Sequence, residues 1–116
     1  MTSEEKTLTI CKLLSDKKAT GIVYIAVAEK TTLCDYFIIA GGRSKTQVKS
    51  LAENVEEKME KDYELTPRRK EGIKEGRWAV LDYSDVIVHI FGDEERDFYC
   101  LERLWEDGEN LKKFTS

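Results

Sequence analysis

Residues 78–91 read WAVLDYSDVIVHIF, two runs of mostly apolar residues separated only by Ser84 and Asp85. Both runs are rich in β-branched and aromatic side chains, which favour strands. A connection this short joins strands that lie side by side and antiparallel. The segment therefore predicts a hairpin of strands at residues 78–83 and 86–91, and Asp82 and Asp85 beside its tip can bond turn backbone groups.

Three further strands are predicted upstream of this hairpin. Residues 22–28 and 35–40 are apolar runs without polar alternation, which is typical of strands buried on both faces. Residues 64–70 contain Pro67, the only proline of the chain. Because proline is tolerated in a sheet mainly at its border, this segment predicts an edge strand.

Helices are predicted before, between and after these strands. Thr2 and Glu5 form a capping box for a helix over residues 3–18. Ser44 and Gln47 form another, which opens a helix with one apolar stripe made of Val48, Leu51, Ala52, Val55 and Met59. Asp93 can cap a last helix that starts at residue 94, and its inner side would hold Phe98, Leu101, Leu104 and Trp105.

The resulting order is α-β-β-α-β-β-β-α, which lacks the strict alternation of a doubly wound fold. We expect one α/β (α+β) domain over residues 1–116, with a mixed five-stranded sheet covered by helices. The polar tail, residues 108–116, is expected to be loosely ordered. A chain of 116 residues can bury enough surface to fold without disulfides or metal.

Composition limits the cellular compartment and the class of partner that we expect. The net charge is −4, from 23 acidic against 19 basic side chains, which favours a basic protein partner over DNA or another nucleic acid. The three cysteines form no C-x-x-C pair, so neither a disulfide framework nor a zinc site is predicted and a reducing cytoplasm is the expected setting. No cofactor is expected. The acidic first residues argue against a targeting peptide, and no apolar run approaches the length of a membrane span.

Few residues suggest catalysis. The turn Gly41–Ser44 lies between a strand and a helix, where a phosphate could bind, but a tight turn with a serine cap explains the same residues. No D-x-D pair follows it to hold Mg²⁺ for nucleotidyl transfer. His89 is the only histidine, and we expect a half-exposed strand position for it rather than a catalytic one. Trp78 is as compatible with an interface as with the core.

Several blocks of the chain occur in the order and spacing of a known family. They are DYFIIAGG at residues 35–42, QVK at 47–49, NVEEK at 54–58, PRRKEG at 67–72, the hairpin at 78–91, and ERDFYCLERLW at 95–105. Together they resemble the ribosomal silencing factors of the Iojap-related family. Gly41 departs from the usual serine of the pattern, and Cys100 from its usual asparagine.

The resemblance implies a binding protein rather than an enzyme. Such factors bind ribosomal protein fourteen of the large subunit, block joining of the small subunit, lower translation in starved or stationary cells, and act in large-subunit maturation. They are often homodimers with a nucleotidyltransferase-like fold. Carried over to this chain, the partner-binding residues are Trp78, Leu81, Asp82 and Tyr83, followed by Glu95, Arg96, Asp97 and Tyr99.

Two other functions stay open at this point. One is a nucleotide-binding or nucleotidyltransferase-like enzyme with its site at Gly41–Ser44. The other is a homodimeric scaffold with a different partner, in which Trp78 would serve dimerisation.

Overall fold

The computed structural model describes residues 1–99 and 101–115, except for the side chains of Phe98 and Tyr99. The described residues form four helices and six strands. In chain order these are α1 Ser3–Asp16, β1 Thr20–Ala26, β2 Tyr36–Gly42, α2 Lys45–Tyr63, β3 Arg69–Glu71, β4 Trp78–Asp82, β5 Val86–Gly92, α3 Asp93–Tyr99, α4 Leu101–Trp105 and β6 Leu111–Lys113.

The six strands form one mixed sheet in the order β3-β4-β5-β2-β1-β6. The central strands β2 and β5 run parallel, and the other neighbouring pairs are antiparallel. The predicted hairpin is confirmed, because β4 and β5 pair from Trp78↔Phe91 to Asp82↔Ile87. At its tip Ser84 has a φ of 77° and its N–H donates to Asp82 Oδ1 at 2.8 Å.

The mixed α+β class is confirmed, but the five predicted strands are one too few. The sixth, β6, pairs antiparallel with β1 and lies in residues 108–116, for which the sequence predicted loose order. Asn110 Nδ2 donates to Ala26 O at 2.9 Å and so leads the chain into this strand. Three residues, two of them lysines, carry no alternation signal, so the edge of β1 decides this strand rather than local propensity. The nucleotidyltransferase-like label stays a prediction.

One face of the sheet, called here the helix face, lies under α1 and α2. The predicted stripe of α2 is confirmed, since Val48, Leu51, Ala52, Val55 and Met59 are all buried. They pack with Ile10 and Leu14 of α1 on inward residues of the sheet. Aliphatic side chains fill this layer and give the fold its main core.

The opposite face, called here the aromatic face, carries Trp78, His89, Phe91, Phe37 and Ile87. The last predicted helix is split into the short helices α3 and α4, which cover part of this face.

The predicted inner side of that last helix is only partly confirmed. Trp105 of α4 packs edge-on against Phe37, with ring centroids 5.2 Å apart, and Leu101 also contacts this layer. Leu104, which we predicted on the inner side, is 74% exposed. Phe98 lies outside the described side chains. No helix among the described residues is long and apolar enough to cross a membrane.

Candidate partner-binding surface

Trp78 begins β4 at one end of the aromatic face. Its indole Nε1–H donates to Nδ1 of His89 at 3.1 Å. Its ring stacks on Phe91, with centroids 4.8 Å apart and planes 28° from parallel. The side chain is nevertheless only half-buried. The indole is therefore held from two directions while part of its surface stays open to a partner.

His89 lies beneath this indole on the interior strand β5. It is only 8% exposed, so the prediction of a half-exposed histidine is wrong. Burial lowers its pKa to about 4, and the ring is neutral near pH 7. Because Nδ1 accepts the hydrogen bond from the indole N–H, the single N–H of the neutral imidazole is at Nε2. That atom is buried and has no hydrogen-bond partner among the described residues.

Two of the predicted contact residues are buried in the core on the helix face. Leu81 is 0% exposed and packs in the core under α2, and Tyr83 is 5% exposed in the same cluster. Side chains alternate along a strand, so Trp78 and Leu81, three positions apart, point to opposite faces. Strand alternation alone could have separated these two residues at the outset.

Asp82 shares the aromatic face with Trp78 but lies at the other end of β4. Four residues of strand separate them by about 13 Å. The aspartate is 6% exposed, and it accepts from Arg68 Nε at 3.2 Å as well as from the Ser84 N–H. The expectation that Asp82 bonds turn backbone is confirmed. In this conformation it offers a partner little surface.

The four second-choice residues lie on or near α3. Glu95 is half-buried beside the start of β4: a Cβ added to Gly92 would lie 2.6 Å from its Oε2 and 3.8 Å from Arg77 O. The structure therefore places Glu95 beside the residue that precedes Trp78, in the groove that Ser44 and Lys45 also line. Asp97 is exposed. The side chain of Tyr99 and all of Cys100 lie outside the described residues.

Arg96 has a structural environment. Its guanidinium donates to Glu102 Oε2 at 3.0 and 3.3 Å and to the backbone oxygen of Thr20 at 3.2 Å. Its side chain is 16% exposed. These bonds fasten α3 and α4 to the start of β1, so Arg96 holds these helices in place.

The glycine turn before α2 is occupied by its own cap. The Ser44 hydroxyl accepts from Gln47 N at 3.1 Å, and the Gln47 side chain accepts from Arg43 N at 2.7 Å. A Cβ on Gly42 would lie 2.8 Å from the Val48 side chain, so close packing explains this glycine. The same groove is lined by the acidic residues Asp93, Glu94 and Glu95 as well as by Arg43 and Lys45, so its charges do not add up to an anion site.

Other groups with catalytic potential are poorly placed for it. Cys11 and Cys34 are buried, and desolvation raises their pKa to about 12 and about 11, so both thiols stay protonated at neutral pH. Asp85, at the hairpin tip, pairs with Lys6 of α1 at 2.6 Å. Over residues 1–99 and 101–115, no three acidic, histidine or cysteine side chains gather where they could hold a metal ion.

Comparison with known proteins adds an independent observation. A family described as "Ribosomal silencing factor during starvation" matches residues 1–115. The chain is 31% identical over 112 residues to ribosomal silencing factor RsfS of Halalkalibacterium halodurans, covering 97% of this chain and 95% of that protein. It is 35% identical over 92 residues to RsfS of Bacillus subtilis, covering 79% and 77%.

A plant relative and a solved structure are also similar to this chain. Protein Iojap, chloroplastic, of Arabidopsis thaliana is 31% identical over 96 residues, which are 83% of this chain and 40% of that protein. A crystal structure of a protein from Chromobacterium violaceum superposes with a TM-score of 0.88 at 30% identity, covering 100% of this chain and 95% of that one.

Proposed function

Because this chain belongs to the family of ribosomal silencing factors, we propose that it silences by occlusion, as a binding protein rather than an enzyme. It binds the large ribosomal subunit through ribosomal protein fourteen, on the face that meets the small subunit. The bound factor then stands where the small subunit must dock. It lowers translation during starvation or in stationary phase and takes part in large-subunit maturation in the cytoplasm.

The observation that carries this proposal is the anchored, half-exposed indole of Trp78. Val80 and Ile87 are also half-buried, and they lie diagonally across β4 and β5 on the same aromatic face. A rigid aromatic beside aliphatic side chains is the typical composition of a binding hot spot. We therefore assign the centre of the contact to Trp78, with Val80 next to it on β4 and Ile87 farther along the same face, opposite Asp82.

The predicted contact residues then fall into two groups. Trp78, Glu95 and Asp97 present surface to the partner. Leu81 and Tyr83 support β4 from the helix face, Asp82 shapes the hairpin tip, and Arg96 holds α3. Replacing a residue of the second group would weaken binding through the fold rather than through a lost contact.

Electrostatics support a basic protein as the partner. The chain carries a net charge of −4, and the acidic first turn of α3, Asp93 to Glu95, lies next to the start of β4. Acidic side chains at the border of an apolar contact attract a basic protein and orient its approach. Binding should therefore weaken as salt concentration rises.

The free factor is proposed to be a homodimer, and the aromatic face is the apolar surface available to both partners. A homodimeric scaffold with another target would use the same surface, so subunit binding decides between the two functions. The enzymatic alternative at Gly41–Ser44 is disfavoured, because the cap of α2 already occupies that turn.

Sedimentation with separated ribosomal subunits tests the proposal. We expect the protein to migrate with the large subunit and to prevent its joining with the small one. Trp78→Ala should weaken binding by on the order of 2 kcal/mol, as expected for a central anchor. The matched control is Tyr63→Ala, which removes an aromatic that is 46% exposed at the end of α2, and it should bind like wild type.

Two results would contradict the proposal. Absence of any association with the large subunit would return the scaffold and enzyme functions to consideration. Equal binding by wild type and Trp78→Ala, with both variants shown to be folded by circular dichroism, would move the contact away from the aromatic face.

A further inference from the structure

We propose that His89 is a positioning residue for Trp78, and that its Nδ1 holds the indole in the orientation in which it meets the partner. This inference rests on the proposed function, since it concerns the same contact surface. It assigns a role to a buried side chain that does not contact the partner itself but orients the residue that does.

The histidine is a poor choice for the position if packing were its only task. His89 is 8% exposed and lies between apolar residues on an interior strand, two positions before Phe91. Its Nε2–H has no hydrogen-bond partner among the described residues, and a buried donor without a partner destabilises a fold. A phenylalanine would fill similar space without that loss. What the imidazole supplies is one acceptor, and that acceptor faces the indole.

The indole needs such an acceptor because stacking alone fixes it incompletely. The rings of Trp78 and Phe91 are stacked with their planes 28° apart, and stacking by itself does not fix how a ring is turned within its plane. A directional bond from Nε1 to Nδ1 at 3.1 Å determines which edge of the indole faces inward. An anchor that is already oriented loses less conformational freedom on binding, which strengthens the complex.

The imidazole is itself held in place. Phe37 meets it edge-on with centroids 5.4 Å apart, and Trp105 of α4 meets Phe37 in turn at 5.2 Å. A row of rings therefore runs from α4 across the face to Trp78. The position of the binding indole is thus set by neighbouring rings, of which His89 and Phe37 are buried.

Two substitutions of His89 separate positioning from packing. His89→Phe keeps a ring but removes the acceptor. His89→Asn loses most of the ring but places an amide oxygen near the position of Nδ1. We expect His89→Phe to be about as stable to urea as wild type, because removing the unpaired Nε2–H offsets the loss of the indole's acceptor, yet to bind the large subunit about tenfold more weakly, the effect of one hydrogen bond. His89→Asn should be less stable and bind more tightly than His89→Phe.

A purely structural role predicts the opposite pattern, in which binding follows stability across the variants. A spectroscopic readout is independent of the ribosome. The chain has two tryptophans, so a ¹⁵N-edited spectrum contains two indole N–H signals, and Trp78→Phe identifies one of them. We expect that signal to move upfield in His89→Phe, because its hydrogen bond is gone, and the Trp105 signal to move less.

The outcomes distinguish this inference from the function on which it rests. If Trp78→Ala binds weakly while a folded His89→Phe binds like wild type, positioning by His89 is overturned and the contact surface stands. If Trp78→Ala itself binds like wild type, the contact surface is overturned, and the role of His89 with it.

Discussion

The two faces of the sheet differ in what covers them. On the helix face, α1 and α2 lie over aliphatic side chains, and Ile38, Val88 and Ile90 have no exposed surface. On the aromatic face, the short helices α3 and α4 cover only a part, and Trp78 and Ile87 remain half-exposed. One face of the sheet thus carries the main core, and the other is the face that we propose as the contact surface. Substitutions on the helix face should therefore lower mainly stability, and substitutions on the aromatic face mainly binding.

The largest effect is expected from Leu81→Ala on the helix face. Leu81 is fully buried, and deleting its side chain leaves a cavity that should lower the free energy of unfolding by roughly 2–5 kcal/mol. Urea denaturation followed by circular dichroism measures this loss. Leu104→Ala is the control, since Leu104 is 74% exposed and should change stability by less than about 0.5 kcal/mol.

This pair also tests the assignment of Leu81 to the core. If Leu81→Ala kept full stability but lost binding to the large subunit, Leu81 would belong to the contact surface as the family resemblance implies. The two faces of the sheet would then not differ in function at β4.

The next effect is a pH dependence that belongs to the aromatic face. Burial lowers the pKa of His89 from 6.5 to about 4, so the unfolded chain binds a proton there more readily than the folded one. The contribution of neutral His89 to the free energy of unfolding is fully present above pH 6.5 and is lost as the pH falls toward 4. The full change is on the order of 3 kcal/mol.

Carboxylates titrate in the same range, so the measurement is a difference between two proteins. Urea unfolding at pH 7.5, 5.5 and 4.5 should show a steeper loss for wild type than for His89→Phe. Parallel curves for the two proteins would mean that His89 is more accessible to water than the structure indicates.

A smaller loss of stability is expected from breaking an ion pair at the border of the helix face. Lys6 of α1 is 8% exposed and pairs with Asp85, whose side chain is 33% exposed, at 2.6 Å. Asp85→Ala leaves this lysine without its carboxylate, and partial exposure of the site limits the loss to about 1–2 kcal/mol. Thermal or urea unfolding measures it.

The exposed pair Lys12–Asp16 on the same helix is the matched control. Its atoms lie 3.1 Å apart and both side chains are more than half exposed, so Asp16→Ala should change stability by under about 0.5 kcal/mol. Equal losses from Asp85→Ala and Asp16→Ala would show that burial of Lys6 adds nothing to the value of its ion pair.

Local patterns predicted the elements that carry their own signal. The cap of Ser44 and the stripe from Val48 to Met59 identified α2, and the two apolar runs around Ser84 identified the hairpin. The order of these elements also excluded a doubly wound fold. For the surface, the sequence singled out Trp78, which the structure leaves half-exposed, but it grouped Trp78 with Leu81 and Tyr83, which are buried.

Those residues were grouped because neighbours in a motif look alike in a sequence, whereas a strand turns alternate side chains to opposite faces. The same limit applies to His89. Its residue type suggested partial exposure, and only the rings of Trp78, Phe37 and Phe91 around it make it buried.

By itself, therefore, the sequence determined α1, α2, the hairpin, the mixed class of the sheet and the family of this protein, because periodicity, caps and motif order can be read along the chain. The tertiary structure alone decided the sixth strand, which exists because β1 offers an edge to Leu111–Lys113. It also decided which face stays open and which acceptor meets the indole of Trp78. These depend on contacts between segments far apart in the chain, and no local pattern records them.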